Sequence, residues 1–278
     1  IIPLPDVPTK VERGGDWTLQ RLAQEVAPPA RDLAFLAEAA TAGRAEVLLE
    51  VEIDALDITV LRGGGDEVGA WAAEHGFFLT PDAPEILDFY AQRSPVFMAA
   101  RFNAERAAAL AQEPGDSTPI MATIPTDDPW VPVRILGLGA DPDTRIEADV
   151  FLLTEDDPDL LAGGTGMTLQ RSEPASSFLL DDLRSDVGME WMPEEMWLSY
   201  LSVDAPASEL DYDLAVSASS GENADFADTG VSAPEVISVA PGELALWPIV
   251  TGIGAGIVAL IVGMVRRRRN LSLTGKLS

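Results

Sequence analysis

An uncharged run of 22 residues, Leu244 to Val265, is the feature that most constrains this chain. As a helix it would be about 33 Å long, which matches the hydrocarbon thickness of a lipid bilayer. Four consecutive arginines follow it directly. A helix buried in a soluble core is the alternative, but a long uncharged helix followed directly by four arginines is difficult to bury in such a core. We therefore expect a single transmembrane helix over residues 244–265.

The charges beside this run predict its orientation. The run is followed by Arg266, Arg267, Arg268 and Arg269. Positive charge next to a span stays in the cytoplasm, so the tail, residues 266–278, is predicted inside the cell. Trp247 and Arg266 then mark the outer and inner interfaces of the cytoplasmic membrane. This type I topology needs an export signal, and we expect a signal peptide that has been removed or is missing ahead of Ile1.

The run also carries small residues at helical spacing. Gly252 and Gly256 are four residues apart, as are Ala255 and Ala259, and Gly263 lies on a nearby face. Small side chains let helices approach closely in lipid. We expect this surface to pack against other integral membrane proteins, although a passive anchor is the alternative, because glycine is common in membrane helices.

Charge is distributed unevenly along the chain. All 46 acidic residues precede residue 244, whereas five of the 18 basic residues follow residue 265. The N-terminal part thus has 13 basic and 46 acidic residues, a formal charge of −33. Such a surface repels nucleic acid and anionic lipid headgroups, so no nucleic-acid partner is predicted. The chain has no cysteine, but this part is long enough to bury a core without disulfides.

Short helical and strand patterns alternate over the N-terminal part. Apolar and acidic residues alternate over 46–61, which predicts two strand segments that a bulge at Asp54–Ala55 could join. Further strands are predicted at 95–102, 119–124, 131–138, 147–154 and 196–205. Helices are predicted within 16–29, 30–42, 62–76, 79–95, 104–112 and 176–186. In the first of these Asp16 is the expected cap, and Gly76 ends the third.

These patterns predict an α+β fold. Residues 1–214 are expected to form an acidic extracytoplasmic domain with a mixed or antiparallel sheet and short helices. Residues 215–243 are poor in large apolar side chains, which is typical of a juxtamembrane linker.

Three blocks of the sequence carry a family resemblance. They are LPDVPTKVERGGDWTLQRLAQEVAPP, DITVLRGGGDEVGAWAAEHGFFLTPDAPEILDFYAQRSPVFMAARF and PIMATIPTDDPWVPVRILGLG. Their succession of strands and short helices resembles the DUF2330 family of exported bacterial proteins of unknown function, over about residues 1–160 and more weakly over 175–215. The resemblance implies an exported, membrane-anchored protein and brings no catalytic residues with it.

Residue types that carry chemistry are sparse. His75 is the only histidine, and a triad or zinc site needs partners for it, so we predict a structural role at a helix end. The acidic runs at 126–130, 141–149 and 154–159 are expected to be solvated loops, with a weak calcium site as the alternative. The glycine groups at 63–65 and 163–166 lack the rest of a phosphate-loop signature and are predicted turns. No cofactor is predicted.

The sequence WMPEEMW, residues 191–197, offers a possible partner contact. Its four large apolar residues are Trp191, Met192, Met196 and Trp197. If exposed, they would form an apolar anchor for a protein partner. Burial in the core is the alternative and the commoner outcome for such residues.

The sequence as a whole indicates a protein without catalytic activity. We expect a membrane-anchored extracytoplasmic binding or scaffold protein, an accessory subunit of a larger membrane protein complex. An extracytoplasmic cation-binding or sensor domain is one alternative. A hydrolase that works with carboxylates alone is the other, and it would need two suitably spaced acids in a cleft.

Overall fold

A computed structural model describes residues 1–26, 45–112, 118–162 and 164–217, with residues 224 and 230. Its helices are α1 Thr18–Val26, α2 Gly65–Glu74, α3 Ala83–Ala91, α4 Ala104–Ala109 and α5 Ser177–Ser185. Its strands are β1 Ile2–Leu4, β2 Lys10–Arg13, β3 Glu46–Ile53, β4 Leu56–Arg62, β5 Val96–Phe102, β6 Ile120–Thr123, β7 Trp130–Val131, β8 Arg145–Thr154, β9 Asp159–Ala162, β10 Met167–Pro174, β11 Trp197–Pro206 and β12 Leu214–Ser217. All strand pairs in these ranges are antiparallel, so the prediction of an α+β domain is confirmed.

The predicted helix at 30–42, most of the predicted linker and the predicted transmembrane helix at 244–265 lie outside the described residues. Within the described ranges, no helix is both long enough and apolar enough to cross a membrane.

The first sheet has the order β1-β5-β4-β3. Strands β3 and β4 form a hairpin in which Ile53 pairs with Leu56, so Asp54 and Ala55 form a two-residue turn rather than the predicted bulge. Asp54 has a φ of 47°, the left-handed conformation that such tight turns require. An irregularity in the register occurs instead between Val47 and Leu49.

Apolar residues on both faces of this sheet are buried. Helices α2 and α3 cover one face, where Leu61 and Phe97 contact Trp71, Leu87 and Tyr90. The two-stranded ribbon of β2 and β6 covers the other face. The residues buried there are Leu4, Val11, Ile53, Ile58, Val60, Val96 and Met98.

The second half of the described chain is built in three layers. Sheet β10-β11-β8 lies in the middle, because successive side chains along its strands point alternately to two buried apolar faces. Val150 and Leu152 face the sheet β7-β12-β9, whereas Phe151 and Leu153 face α1 and α5. All four residues of β12 are buried, so the domain continues past residue 214, where its end was predicted.

One predicted strand is wrong over most of its length. Only Val131 of the segment 131–138 is in a strand, and Arg134–Gly137 form a 3-10 turn. The physical reason is a buried carboxylate, Asp213, which accepts hydrogen bonds from the backbone N–H groups of Val133 (2.7 Å) and Arg134 (3.1 Å). These donors are therefore not available to a strand partner.

Asp213 also joins the two halves of the domain. It accepts from the Tyr90 hydroxyl at 2.8 Å and forms an ion pair with Arg93, both on the α3 side. The Arg93 guanidinium lies 4.2 Å from the ring centroid of Trp130, which begins β7. Because Asp213 is completely buried, this network is an interior connection and not a site open to ligand.

The cap of α1 differs from the prediction. Asp16 forms an ion pair with Arg13, and the carboxylate that binds N–H groups at the start of the helix is Asp186, from the segment after α5. The Asp186 carboxylate accepts from the backbone of Asp16 (3.0 Å), Trp17 (3.0 Å) and Thr18 (2.8 Å) and from the Thr18 hydroxyl (2.7 Å). A distant side chain thus replaces the local cap that the sequence suggested.

Candidate functional site

Among the residues that the structure describes, helices α2 and α3 leave one end of the first sheet uncovered. Helix α2 ends at Glu74, and Gly76 follows with a φ of 96°, in the left-handed conformation that terminates helices. Beyond this end, side chains of β3, β4 and β5 line an open groove of about 580 Å³. We call this the sheet-end groove.

Strand pairing assembles the floor of the sheet-end groove. Glu50 lies opposite Thr59, Glu52 lies opposite Asp57, and Asp57 lies opposite Arg101 on its other side. Residues directly opposite each other in an antiparallel pair point to the same face of the sheet. Three carboxylates and one guanidinium therefore share this surface.

Asp57 is held between two arginines. Its Oδ2 accepts from Arg101 at 3.0 Å and its Oδ1 accepts from Arg106, the third residue of α4, at 2.5 Å. Burial raises the pKa of Asp57, but the hydrogen bonds from Arg106 and Arg101 outweigh burial and hold this pKa below its ordinary value. The carboxylate is therefore ionised and fixed in place.

Arg106 has further partners that fix its orientation. Its Nε donates to the carbonyl oxygen of Asp54 at 2.6 Å, and its Nη1 lies 3.3 Å from a carboxylate oxygen of Glu52. The side chain of Asn103 caps α4 by accepting from the Arg106 backbone at 3.0 Å. Each guanidinium of the groove is thus neutralised by an acidic neighbour.

Glu50 differs from these residues. It is exposed, and no ion pair in the described part of the chain includes it. The groove therefore carries three carboxylates against two guanidinium groups, and its unbalanced negative charge lies on β3.

Aromatic side chains form the opposite wall of the groove. His75 stacks on Trp71, with ring centroids 4.1 Å apart, and Phe77 lies 5.8 Å from the same indole ring. His75 Nδ1 lies 2.8 Å from the carbonyl oxygen of Trp71. Since that oxygen only accepts, Nδ1 is the donor of this hydrogen bond. His75 lies at the end of α2, where the sequence placed it, but its place in a groove was not predicted.

The predicted contact at residues 191–197 is divided by the fold. Met192 and Met196 are buried beneath α1 and α5, so they are core residues and cannot anchor a partner. Trp197 is half-buried and donates from Nε1 to the Ser172 hydroxyl at 2.7 Å. Only Trp191, with 43% of its surface exposed, remains accessible to a partner.

The acidic runs lie in turns and at strand ends. Residues 155–158 connect β8 to β9, and Arg145 within the run 141–149 is paired with Asp204 at 2.5 Å. Among the residues that the structure describes, no three His, Asp or Glu side chains are grouped so that they could hold a metal ion. The helix-packing residues Gly252, Ala255, Gly256, Ala259 and Gly263 lie outside the described ranges, as do Trp247 and the four arginines.

No family model, curated protein or solved structure matches this chain. The resemblance to the DUF2330 family therefore stays a prediction. The site is interpreted below from its own geometry and charge.

Proposed function

We propose that this chain is a non-catalytic, membrane-anchored binding protein that recognises a partner outside the cell through the sheet-end groove. One observation supports this best: the charged groups of an open groove are held in fixed positions by one another. Asp57, Arg101 and Arg106 form a rigid hydrogen-bonded set, and the stacked rings of His75 and Trp71 form a flat wall beside it. Preorganised polar groups beside aromatic surface favour recognition, because little entropy is lost when a ligand binds.

The sequence supports the anchored topology. Residues 244–265 have the length and composition of a bilayer span, and RRRR follows on the cytoplasmic side. In this arrangement the acidic domain projects outside the cytoplasmic membrane. The resemblance to exported DUF2330 proteins agrees with it.

We further propose that the protein is an accessory subunit of a membrane complex, held laterally through the small-residue face of its span. Gly256→Leu places a large side chain on that face and should loosen the association. The measurement is co-purification in mild detergent, followed by a native gel. Unchanged co-migration of the variant with its complex would count against helix-mediated packing.

Photo-crosslinking in native membranes tests the groove directly. Benzoylphenylalanine at Thr59, on the groove floor, should give one discrete crosslinked product with a partner protein. The same group at Phe178 is the matched control, since that side chain is aromatic, 81% exposed and located on α5, away from the groove.

Two results would contradict the proposed function. One is equal crosslinking from both positions, which indicates random collision. The other is no crosslink from Thr59 together with migration of the detergent-extracted protein as a lone monomer.

A further inference from the structure

We propose that the sheet-end groove binds an extended basic segment of the partner protein and that Glu50 and Glu52 receive two of its arginine or lysine side chains. This rests on the proposed function, because it names the chemical class of ligand for the same groove.

The sign of the charge left uncompensated in the groove supports a basic ligand. Each arginine is already neutralised by a carboxylate, because Arg101 pairs with Asp57 and Arg106 pairs with Asp57 and Glu52, so an incoming anion would compete with an internal ion pair. Glu50 has no ion-pair partner among the described residues, and the Glu52 side chain is 74% exposed although it lies near Arg106. Glu50 is therefore the carboxylate of the groove without an ion pair in the described part of the chain, and Glu52, which is paired with Arg106, is exposed enough to receive a second cation.

The spacing of these carboxylates supports an extended ligand. Glu50 and Glu52 are alternate residues of one strand, so they project from the same face at a separation of about 7 Å. A peptide in extended conformation has the same repeat, and two of its basic side chains separated by one residue match the pair. A compact cation would reach only one of the two carboxylates at a time.

The aromatic wall suits the same ligand. His75 is exposed and lies flat on Trp71, and Phe77 continues the apolar surface. The methylene stems of lysine and arginine pack on such surfaces, and a guanidinium plane stacks on an aromatic face. The wall and the carboxylates thus contact different parts of one basic side chain.

The charge of the whole chain favours the same sign of ligand. The formal net charge of −28 attracts basic segments over a long range and speeds their encounter with the surface. The same field attracts basic molecules without specificity, so a test must separate binding in the groove from attraction to the surface in general.

The experiment is calorimetric titration of the full-length chain in a non-ionic detergent at about 0.15 M salt, where the Debye length of about 8 Å screens distant charges. The probe is a capped peptide, Gly-Ser-Arg-Ser-Arg-Ser-Gly, and its matched control carries citrulline at both arginine positions. The double variant Glu50→Gln, Glu52→Gln should weaken binding of the arginine peptide about threefold to tenfold, the effect of two exposed ion pairs. Glu46→Gln, on the same strand but outside the groove, should change it less than twofold.

Three outcomes would overturn the proposal: no binding of the arginine peptide, equal binding of the citrulline peptide, or equal loss of affinity in the Glu46→Gln variant. The single variant Glu50→Gln repeats the test if the double variant does not fold. A peptide with glutamate at the two positions separates this inference from the proposed function. If that peptide binds and Arg101→Gln abolishes its binding, the groove is a recognition site for acidic ligands and only the basic class is wrong.

Discussion

Two adjacent glycines at the start of α2 show how much a single β-carbon can matter. A β-carbon on Gly65 would lie 2.1 Å from Asp88 Oδ1 and 2.6 Å from the Asp88 backbone nitrogen, where α2 and α3 meet. A β-carbon on Gly64 would meet nothing within 4 Å, and its φ of −68° is open to any residue. Gly65 is therefore required by packing, whereas Gly64 is not.

We expect Gly65→Ala to lower the free energy of unfolding by about 1–3 kcal/mol, the usual cost of overpacking. Its melting temperature should fall by several degrees. Gly64→Ala is the matched control and should stay within about 0.5 kcal/mol, since the loss of unfolded-state freedom offsets a slightly poorer cap. Thermal unfolding followed by near-ultraviolet circular dichroism checks both. Equal melting temperatures for the two variants would contradict the close approach of α2 to α3.

Two tyrosines form hydroxyl–carboxylate hydrogen bonds that differ in burial. The buried Tyr90 donates to Asp213 and also accepts from the Ile135 backbone at 3.0 Å. Burial, followed by the charge of Asp213, holds the pKa of Tyr90 well above its ordinary value, so the hydroxyl remains a donor at neutral pH. Tyr200 is only half-buried and donates to Asp149 at 2.7 Å.

We expect Tyr90→Phe to cost about 1–3 kcal/mol, because it leaves a buried carboxylate and a backbone N–H each without one partner. Tyr200→Phe should cost less than about 1 kcal/mol, since water replaces its partner at a half-exposed site. Each variant keeps its ring stack, Tyr90 on Trp130 and Tyr200 on Phe151, so the hydroxyl alone is tested. The measurement is the melting temperature, and a larger fall for Tyr200→Phe would contradict the connecting role of Asp213.

At the scale of elements, the cap of α1 makes stability depend on pH. Burial raises the pKa of Asp186, but bonds from the Thr18 hydroxyl and from the backbone of Trp17 and Asp16 outweigh it and lower this pKa. A lowered carboxyl pKa means that the folded state prefers the ionised form. The stabilisation is complete above the unfolded pKa, near 4, and is lost as the pH falls through the lower folded pKa.

We expect Asp186→Asn to cost about 1–3 kcal/mol at pH 7, because it removes a charge-assisted cap. The difference in melting temperature between wild type and variant should shrink as the pH falls from 6 to 3. Asp181→Asn is the control: that side chain is 69% exposed, and its ion pair in the described part of the chain is with Arg184 on its own helix. A difference that stays constant across this pH range would show that the Asp186 charge does not stabilise the helix.

The elements predicted from the sequence are those whose signal is local. The alternation of apolar and acidic residues in β3 and β4 and the helical spacing in α5 are visible without knowledge of the fold. The cap of α1 and the turn after Val133 were not predictable, because both depend on carboxylates distant in sequence, Asp186 and Asp213. The short strand β12 was missed for a similar reason: its burial comes from pairing with β7 and β9.

At the scale of the molecule, the same limit applies to the candidate site. The sequence shows the acids of β3 and the helix that ends at His75, but not their proximity. Glu50 and Glu52 reach Asp57 and Arg101 only through the register of three strands. The groove lies beyond the C-terminal end of α2, and this position cannot be deduced from one segment alone.

The charge of the whole molecule leads to a last prediction. The formal net charge of −28 means that the acidic side chains repel one another in the folded state. Salt screens this repulsion. At pH 7 we expect the melting temperature to rise by several degrees between about 0.05 M and 1 M sodium chloride, over which the Debye length falls from about 14 Å to 3 Å.

The control for this prediction is the same salt series close to the isoelectric point of about 4.1, where the net charge is near zero. There the rise should disappear, because no net repulsion remains to be screened, and salt instead weakens the remaining ion pairs such as Arg101–Asp57. An equal rise at both pH values would instead indicate that salt strengthens apolar burial. The change of melting temperature with salt, compared between the two pH values, therefore separates screening of charge repulsion from strengthened apolar burial. The same salt series sets the range in which binding of a basic peptide to the sheet-end groove should be measured.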